Sequence, residues 1–187
     1  MKKLIALSLI PILSGCLSAS VPRVSQWLLE YRGPVRATRI AKYEVGRVSQ
    51  VTVRSPYNEI GIAVLRADGS MAFDPYNEYA ANPTALLKGF VFDAMDASGL
   101  FGSVVNSSSS VKAQAMSEVL VSRLALDCRK EGERKAVAAV RIRLISDDGK
   151  ALHAQGEGTA DAKDGNYGAA LSDALSTALN SAFAQFR

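Results

Sequence analysis

Two hydrophobic periods alternate along this chain. Gln26 to Tyr31 (QWLLEY) reads as a first strand, ended by Gly33-Pro34, with a loop to about Gly46. Arg47 to Arg54 alternates through Val48, Val51 and Val53 until Ser55-Pro56 breaks it. Ile60 to Leu65 predicts another strand. Ala67-Asp68-Gly69-Ser70 is a hairpin turn across which Met71 to Phe73 can pair back. The period then changes. Asn82 is a good N-cap and Pro83 suits the first helical position. Leu86, Leu87, Phe90, Val91, Ala94 and Met95 mark one helical face, and Gly99 is placed to end it.

After this helix, Leu100 to Val105 reads as a strand and Ser107 to Ser110 as a polar loop. A meander follows: Ser117 to Cys128, Lys135 to Ile145 and Ala151 to Ala160, separated by turns at 130–133 and 147–150. On the last of these strands Leu152, Ala154, Gly156, Gly158 and Ala160 share the inner face, where small residues let a helix approach closely. That helix spans about Asn166 to Phe186, with an unbroken apolar set: Tyr167, Ala170, Leu171, Ala174, Leu175, Ala178, Leu179, Ala182, Phe183 and Phe186. The expected class is α+β, a two-layer domain with a mixed or antiparallel sheet and two helices packed on one face.

The N-terminus follows neither period. Met1-Lys2-Lys3 is positive, and Leu4 to Leu13 is almost wholly apolar. A run of about ten residues is too short to span a bilayer, which needs about 20. It reads as a signal peptide over 1–15. Leu13-Ser14-Gly15-Cys16 resembles the lipobox of bacterial lipoproteins, in which cleavage before the cysteine leaves Cys16 as the lipidated N-terminus. The implied modification is an S-diacylglycerol, N-palmitoyl cysteine, and two or more acyl chains anchor stably. Leu17 rather than Asp after the cysteine favours the outer membrane by analogy with lipoprotein sorting in enteric bacteria, with the body facing the periplasm. Residues 16–25 form a lipidated tether. Its nine residues after Cys16 reach on the order of 30 Å when extended.

The 187 residues carry 22 Lys+Arg against 18 Asp+Glu, a net charge of +4. Loss of the leader leaves 20 basic against 18 acidic side chains, a net of +2, so charge gives no sign of a nucleic-acid partner. Two cysteines cannot build a disulfide framework or a four-cysteine zinc site. Cys128 lies in phase with Leu120, Leu124 and Leu126, which predicts a core position.

The order of the pieces from 26 to 187 resembles the ABC-type transport auxiliary lipoproteins, a family that includes the outer-membrane partner of the paraquat-inducible MCE transport system. The residues that carry the resemblance follow the lipobox: the Tyr-containing segment Gln26 to Tyr31, then Val51-Thr52-Val53-Arg54-Ser55-Pro56-Tyr57, then Ile62-Ala63-Val64-Leu65-Arg66. Tyr79-Ala80-Ala81 opens the helix, where the family usually has Trp at the position of Tyr79. Ala97-Ser98-Gly99-Leu100-Phe101 and Val104-Val105 close the block. The resemblance implies a non-enzymatic accessory without cofactors. Its implied partners are an MCE-family periplasmic protein, an ABC permease and ATPase, and the outer membrane through the anchor, with self-association left open. A structural lipoprotein of a secretion or lipopolysaccharide-assembly machine would have the same features.

Candidate chemistry is sparse. The single His153 falls on the polar phase of its strand, with Gln155, Glu157 and Thr159, so no base–nucleophile pair is spelled out. Asp147, Asp148, Asp161 and Asp164 sit in turn-like sequence without calcium-loop spacing. Arg32, Arg36, Arg39, Lys42, Arg47 and Arg54 face only Glu44 in charge. They form either a solvated edge or a contact for anionic head groups or an acidic partner. Tyr57 and Tyr76 follow prolines in loops, as interface anchors or as loop packing.

Overall fold

The computed structural model describes residues 23–34, 40–163 and 165–187. Ten elements follow in order: β1 (Ser25–Trp27), β2 (Tyr43–Val53), β3 (Gly61–Arg66), β4 (Met71–Tyr79), α1 (Pro83–Ala97), β5 (Phe101–Val105), β6 (Ala115–Cys128), β7 (Lys135–Ser146), β8 (Ala151–Asp161) and α2 (Tyr167–Ala184). The fold is α+β, a mixed eight-stranded sheet with both helices on one face.

The long strand β6 organises the sheet. β7 pairs antiparallel along nearly its whole length, and β8 pairs antiparallel with β7. β2 and β3 therefore share the opposite edge of β6: β2 runs parallel beside residues 115–121 and β3 beside residues 126–128. β5 lies parallel outside β2, β4 antiparallel outside β3, and β1 parallel outside β4.

α2 packs on β6, β7 and β8 through the stripe read from the sequence. All ten of its apolar positions are buried. The close approach expected over β8 is present: a Cβ on Gly156 would stand 2.0 Å from Ala178 O, and one on Gly158 1.9 Å from Ala174 O. Only glycine fits there, and the alanines of α2 supply the matching shallow surface. α1 begins as expected, with Asn82 Oδ1 accepting from Thr84 N at 2.9 Å, and Gly99 ends it at φ +68°.

Several expectations are corrected. The first strand holds only Ser25–Trp27, so it begins inside the segment read as tether. From Leu28 the chain becomes a strap over the helices. Ser172 Oγ accepts from Glu30 N at 3.1 Å, Ser176 Oγ from Arg32 N at 2.9 Å, and Tyr31 OH donates to Asn180 Oδ1 at 2.7 Å. These helix side chains recur every four residues, and they satisfy strap groups that a neighbouring strand would otherwise bond. β2 starts earlier than expected, at Tyr43. β4 runs to Tyr79 because a register irregularity opposite Gly61–Ala63 accommodates Pro75. Leu152 has the inner phase but stays 42% exposed, because it lies past the end of α2.

Cys128 is half-buried rather than in the core. A bulge between Val121 and Arg123 shifts the phase of β6. Leu124 and Leu126 remain buried, whereas Leu120 points to the other face. Cys128 packs against the core edge beside Arg134, whose guanidinium also bonds Tyr167 OH. We expect its thiol to react with a maleimide more slowly in the native protein than in denaturant, yet to reach completion. Full protection would contradict the half-buried position.

Tyr79 is buried at 1% exposure, and its hydroxyl has no hydrogen-bond partner among the described residues. Burial raises its pKa above the usual phenol value. Above about pH 10 the unfolded chain releases a proton that the folded chain keeps, so stability falls as pH rises. Tyr79→Phe should leave neutral-pH stability unchanged or raise it by about 1 kcal/mol. It should also flatten the alkaline loss in urea titrations between pH 9 and pH 11 (about one unit either side of a free phenol). A clear loss of stability at pH 7 would show that the hydroxyl is bonded.

Candidate functional site

The lipobox residues Leu13, Ser14, Gly15 and Cys16 lie outside the described residues, as do Arg36, Arg39 and Asp164. The rest of the basic 32–54 segment is dispersed. Arg32 belongs to the strap. Lys42 Nζ donates to Phe186 O at 2.9 Å, near the end of α2, where a cation is favourable. Arg47 holds the 107–110 loop through Ser109 O at 3.1 Å and through Val111 O. Only Arg54 joins a surface with other arginines. Its described members are therefore not one basic surface: the strap lays Arg32 on α2, Lys42 meets the chain just past α2, and Arg47 and Arg54 lie toward opposite ends of β2.

That surface is the sheet face opposite the helices. Period-two alternation sends its side chains outward, and the register aligns them in rows. Glu118, Arg143 and His153 form one row. Leu120, Arg141 and Gln155 form the next, and Arg123, Ala139 and Glu157 a third. β2 adds Gln50 beside Glu118 and Thr52 beside Leu120. Arg54 N bonds Val121 O at 2.9 Å, which extends the β2–β6 ladder toward the bulge that carries Arg123.

Two clefts open on this face, and each also reaches the helix side, through Gln185 in one and Ser181 of α2 in the other. One, of about 540 Å³, includes Gln50, Glu118, Arg141, Arg143 and His153 in its lining. The other, of about 400 Å³, includes Arg54, Arg123, Arg141 and Glu157. Arg141 borders both. Arg143 pairs with Glu118 at 3.3 Å. Arg54, Arg123 and Arg141 have no carboxylate within 4.0 Å among the described residues. Three unpaired guanidinium forks around one cleft can hold carboxylate or phosphate oxygens, with Ser122 and Gln155 as neutral neighbours. Ser122 Oγ donates to Ala139 O at 3.2 Å. His153 is exposed on its strand.

Of the aspartates read as turn residues, Asp147 N donates to Gln114 O at 2.8 Å, Asp161 is instead the last residue of β8, and Asp148 is engaged within its turn. Asp148 Oδ1 accepts from Ser146 Oγ at 2.5 Å and Lys150 N at 3.2 Å, and Asp148 Oδ2 pairs with Lys150 Nζ at 2.7 Å. These bonds, Lys150 first, hold its carboxyl well below the usual range. Among the described residues no group of three or more His, Cys, Asp or Glu side chains is arranged to hold a metal ion. Tyr57 packs against the core edge, and Tyr76 is 52% exposed.

The arginine grouping was not read from the sequence. Arg141 and Arg143 alternate with buried residues on β7 and share its outward face, but Arg54 and Arg123 come from separate strands that only the β2–β6–β7 order unites.

No protein-family model and no curated protein matches the chain. Solved structures do. Protein XCC0632 from Xanthomonas campestris, of the DUF330 family model, superposes with a TM-score of 0.66 at 13% identity, over 87% of this chain and 92% of its own. An uncharacterized protein superposes at 0.58 and 15% identity, over 85% and 94%. The chain shares the fold of these proteins. PelC of Paraburkholderia phytofirmans, crystallised as a dodecamer, superposes at 0.45 and 16% identity, over 80% and 92%.

We expect Arg141→Glu, alone or with Arg123→Glu, to leave the thermal melt within about 0.5 kcal/mol of wild type, as for exposed surface changes. The same changes should abolish salt-sensitive binding to an acidic partner or anionic surface. Partner capture from envelope extract at low salt checks this. Undiminished capture would remove the arginine face from the account.

Proposed function

We propose that this chain is a non-enzymatic, lipid-anchored accessory of an ABC-type system that moves lipids between the inner and outer membranes, working with an MCE-family periplasmic protein. The single observation that carries the reading is the combination in one chain of a lipobox at Leu13 to Cys16 with a short tether and a body of this fold. The resemblance at Val51 to Tyr57 and at Ala97 to Val105 supports the family assignment. An anchor at Cys16 and a tether of about 30 Å keep the body beside the outer membrane. The open arginine face suits docking better than bond-making, because it presents charge without an aligned base and nucleophile.

Affinity capture of the tagged full chain from detergent-solubilised envelopes, with partners identified by mass, tests the proposal. An MCE protein recovered with its permease and ATPase is the expected result. Secretion or lipopolysaccharide-assembly components in their place would replace it with the structural-lipoprotein reading.

A further inference from the structure

A second recess lies at the edge of the sheet beside α1. β5 pairs with β2 only from Tyr43 to Arg47. The chain then turns away through Asn106 and Ser107, so among the described residues no strand lies beside β2 from Val48 to Val53 on this side. Because Arg54 N bonds Val121 O on β6, strand alternation directs the backbone groups of Val51 and Val53 the other way, toward the open edge. The resulting groove has a volume of about 560 Å³. Val48 and Val51 line its strand side, and Thr84, Lys88, Gly89 and Phe92 line its helix side. These four share one stripe of α1.

Two features show that the groove is kept open. Gly89 sits in the middle of α1, where glycine weakens a helix, yet a Cβ there would meet nothing within 4 Å. No packing among the described residues requires it. In addition, a register shift between Val48 and Gln50 places a bulge in β2 at the mouth of the groove, a device that re-aims strand edges near binding sites. The only charge in the lining is Lys88, which is exposed and has no carboxylate within 4.0 Å among the described residues.

We propose that this groove binds an extended segment of a partner polypeptide, which adds as a strand to β2, sets an apolar side chain over Gly89 and Phe92, and presents a carboxylate to Lys88. The free backbone edge supplies hydrogen bonds, and the recess and cation supply selectivity, as in strand-addition recognition generally. The charge of the lining sets the occupant's chemistry: one cation and no acid call for an acidic side chain or a free C-terminus. The proposal does not rest on the transport reading.

The test is a selection from random decapeptides displayed with free C-termini, panned on the full chain in detergent, with binding to Gly89→Leu measured afterwards. Selected peptides should alternate apolar residues and carry a carboxylate. They should bind about tenfold or more weakly to Gly89→Leu, the loss expected when a central contact is blocked. Lys88→Glu, at an exposed position, should weaken the same peptides, and their addition should shift the amide resonances of Val51 and Val53. If Gly89→Leu does not fold, Lys88→Glu and the amide shifts decide the outcome. No enriched peptide, binding to Gly89→Leu and Lys88→Glu as tight as to wild type, shifts confined to other strands, or a groove occupied by a second copy in a size measurement would each overturn the proposal.

Discussion

Leu175→Asp should unfold the domain. Leu175 is fully buried at the centre of the α2 stripe. Among the described residues, the buried core that α2 shares with β7 and β8 includes no cation for a carboxylate there to meet. An isolated charge in such a site, or the protonation needed to avoid it, costs several kcal/mol. A single domain has about 5–15 kcal/mol in total. Leu175→Ala, which removes volume without adding charge, should cost about 2–5 kcal/mol and leave a folded protein with a lower melt. Circular dichroism melts of both variants, with a size measurement, check the pair. An unchanged melt for Leu175→Asp with reduced assembly mass would make α2 an interface between molecules.

Cys16→Ala should leave a full-length precursor that takes up no lipid. On the lipobox reading the Cys16 thiol receives the diacylglyceryl chain, and alanine offers no nucleophile. A single apolar leader of about ten residues cannot replace an anchor of two or more acyl chains. Metabolic labelling with an alkyne fatty acid should mark wild type and not the variant. Gel mobility should show the leader retained. Equal labelling of the two proteins would remove the anchor from the account, and with it the argument for a body held beside the membrane.

The C-terminal half of the fold was legible because its local and long-range signals agree. The 3-4 spacing of α2 and the Ala-Gly-Gly alternation of β8 each require the other, and the structure joins them within contact distance. The strap at Leu28 to Arg32 was not legible. Its alternation is that of a strand, and the groups that claim its backbone, Ser172, Ser176 and Asn180, lie about 140 residues later on a helix face. The phase of Leu120 was lost for a different reason. A one-residue bulge in β6 reverses the side-chain alternation, and nothing in Val121-Ser122-Arg123 announces it. The candidate face shows the same limit. Single arginines were visible, but their convergence depends on β2 and β7 flanking the same strand, which is a property of topology rather than of any local pattern.

Photo-crosslinking in living cells tests the central claim most directly. A benzophenone amino acid at position 141, on the open arginine face, should yield an adduct containing an MCE-family protein. The same probe at position 131, in the exposed turn between β6 and β7, should yield none. Adducts from position 141 with a secretion or lipopolysaccharide-assembly component, or equal adducts from both positions, would contradict the account.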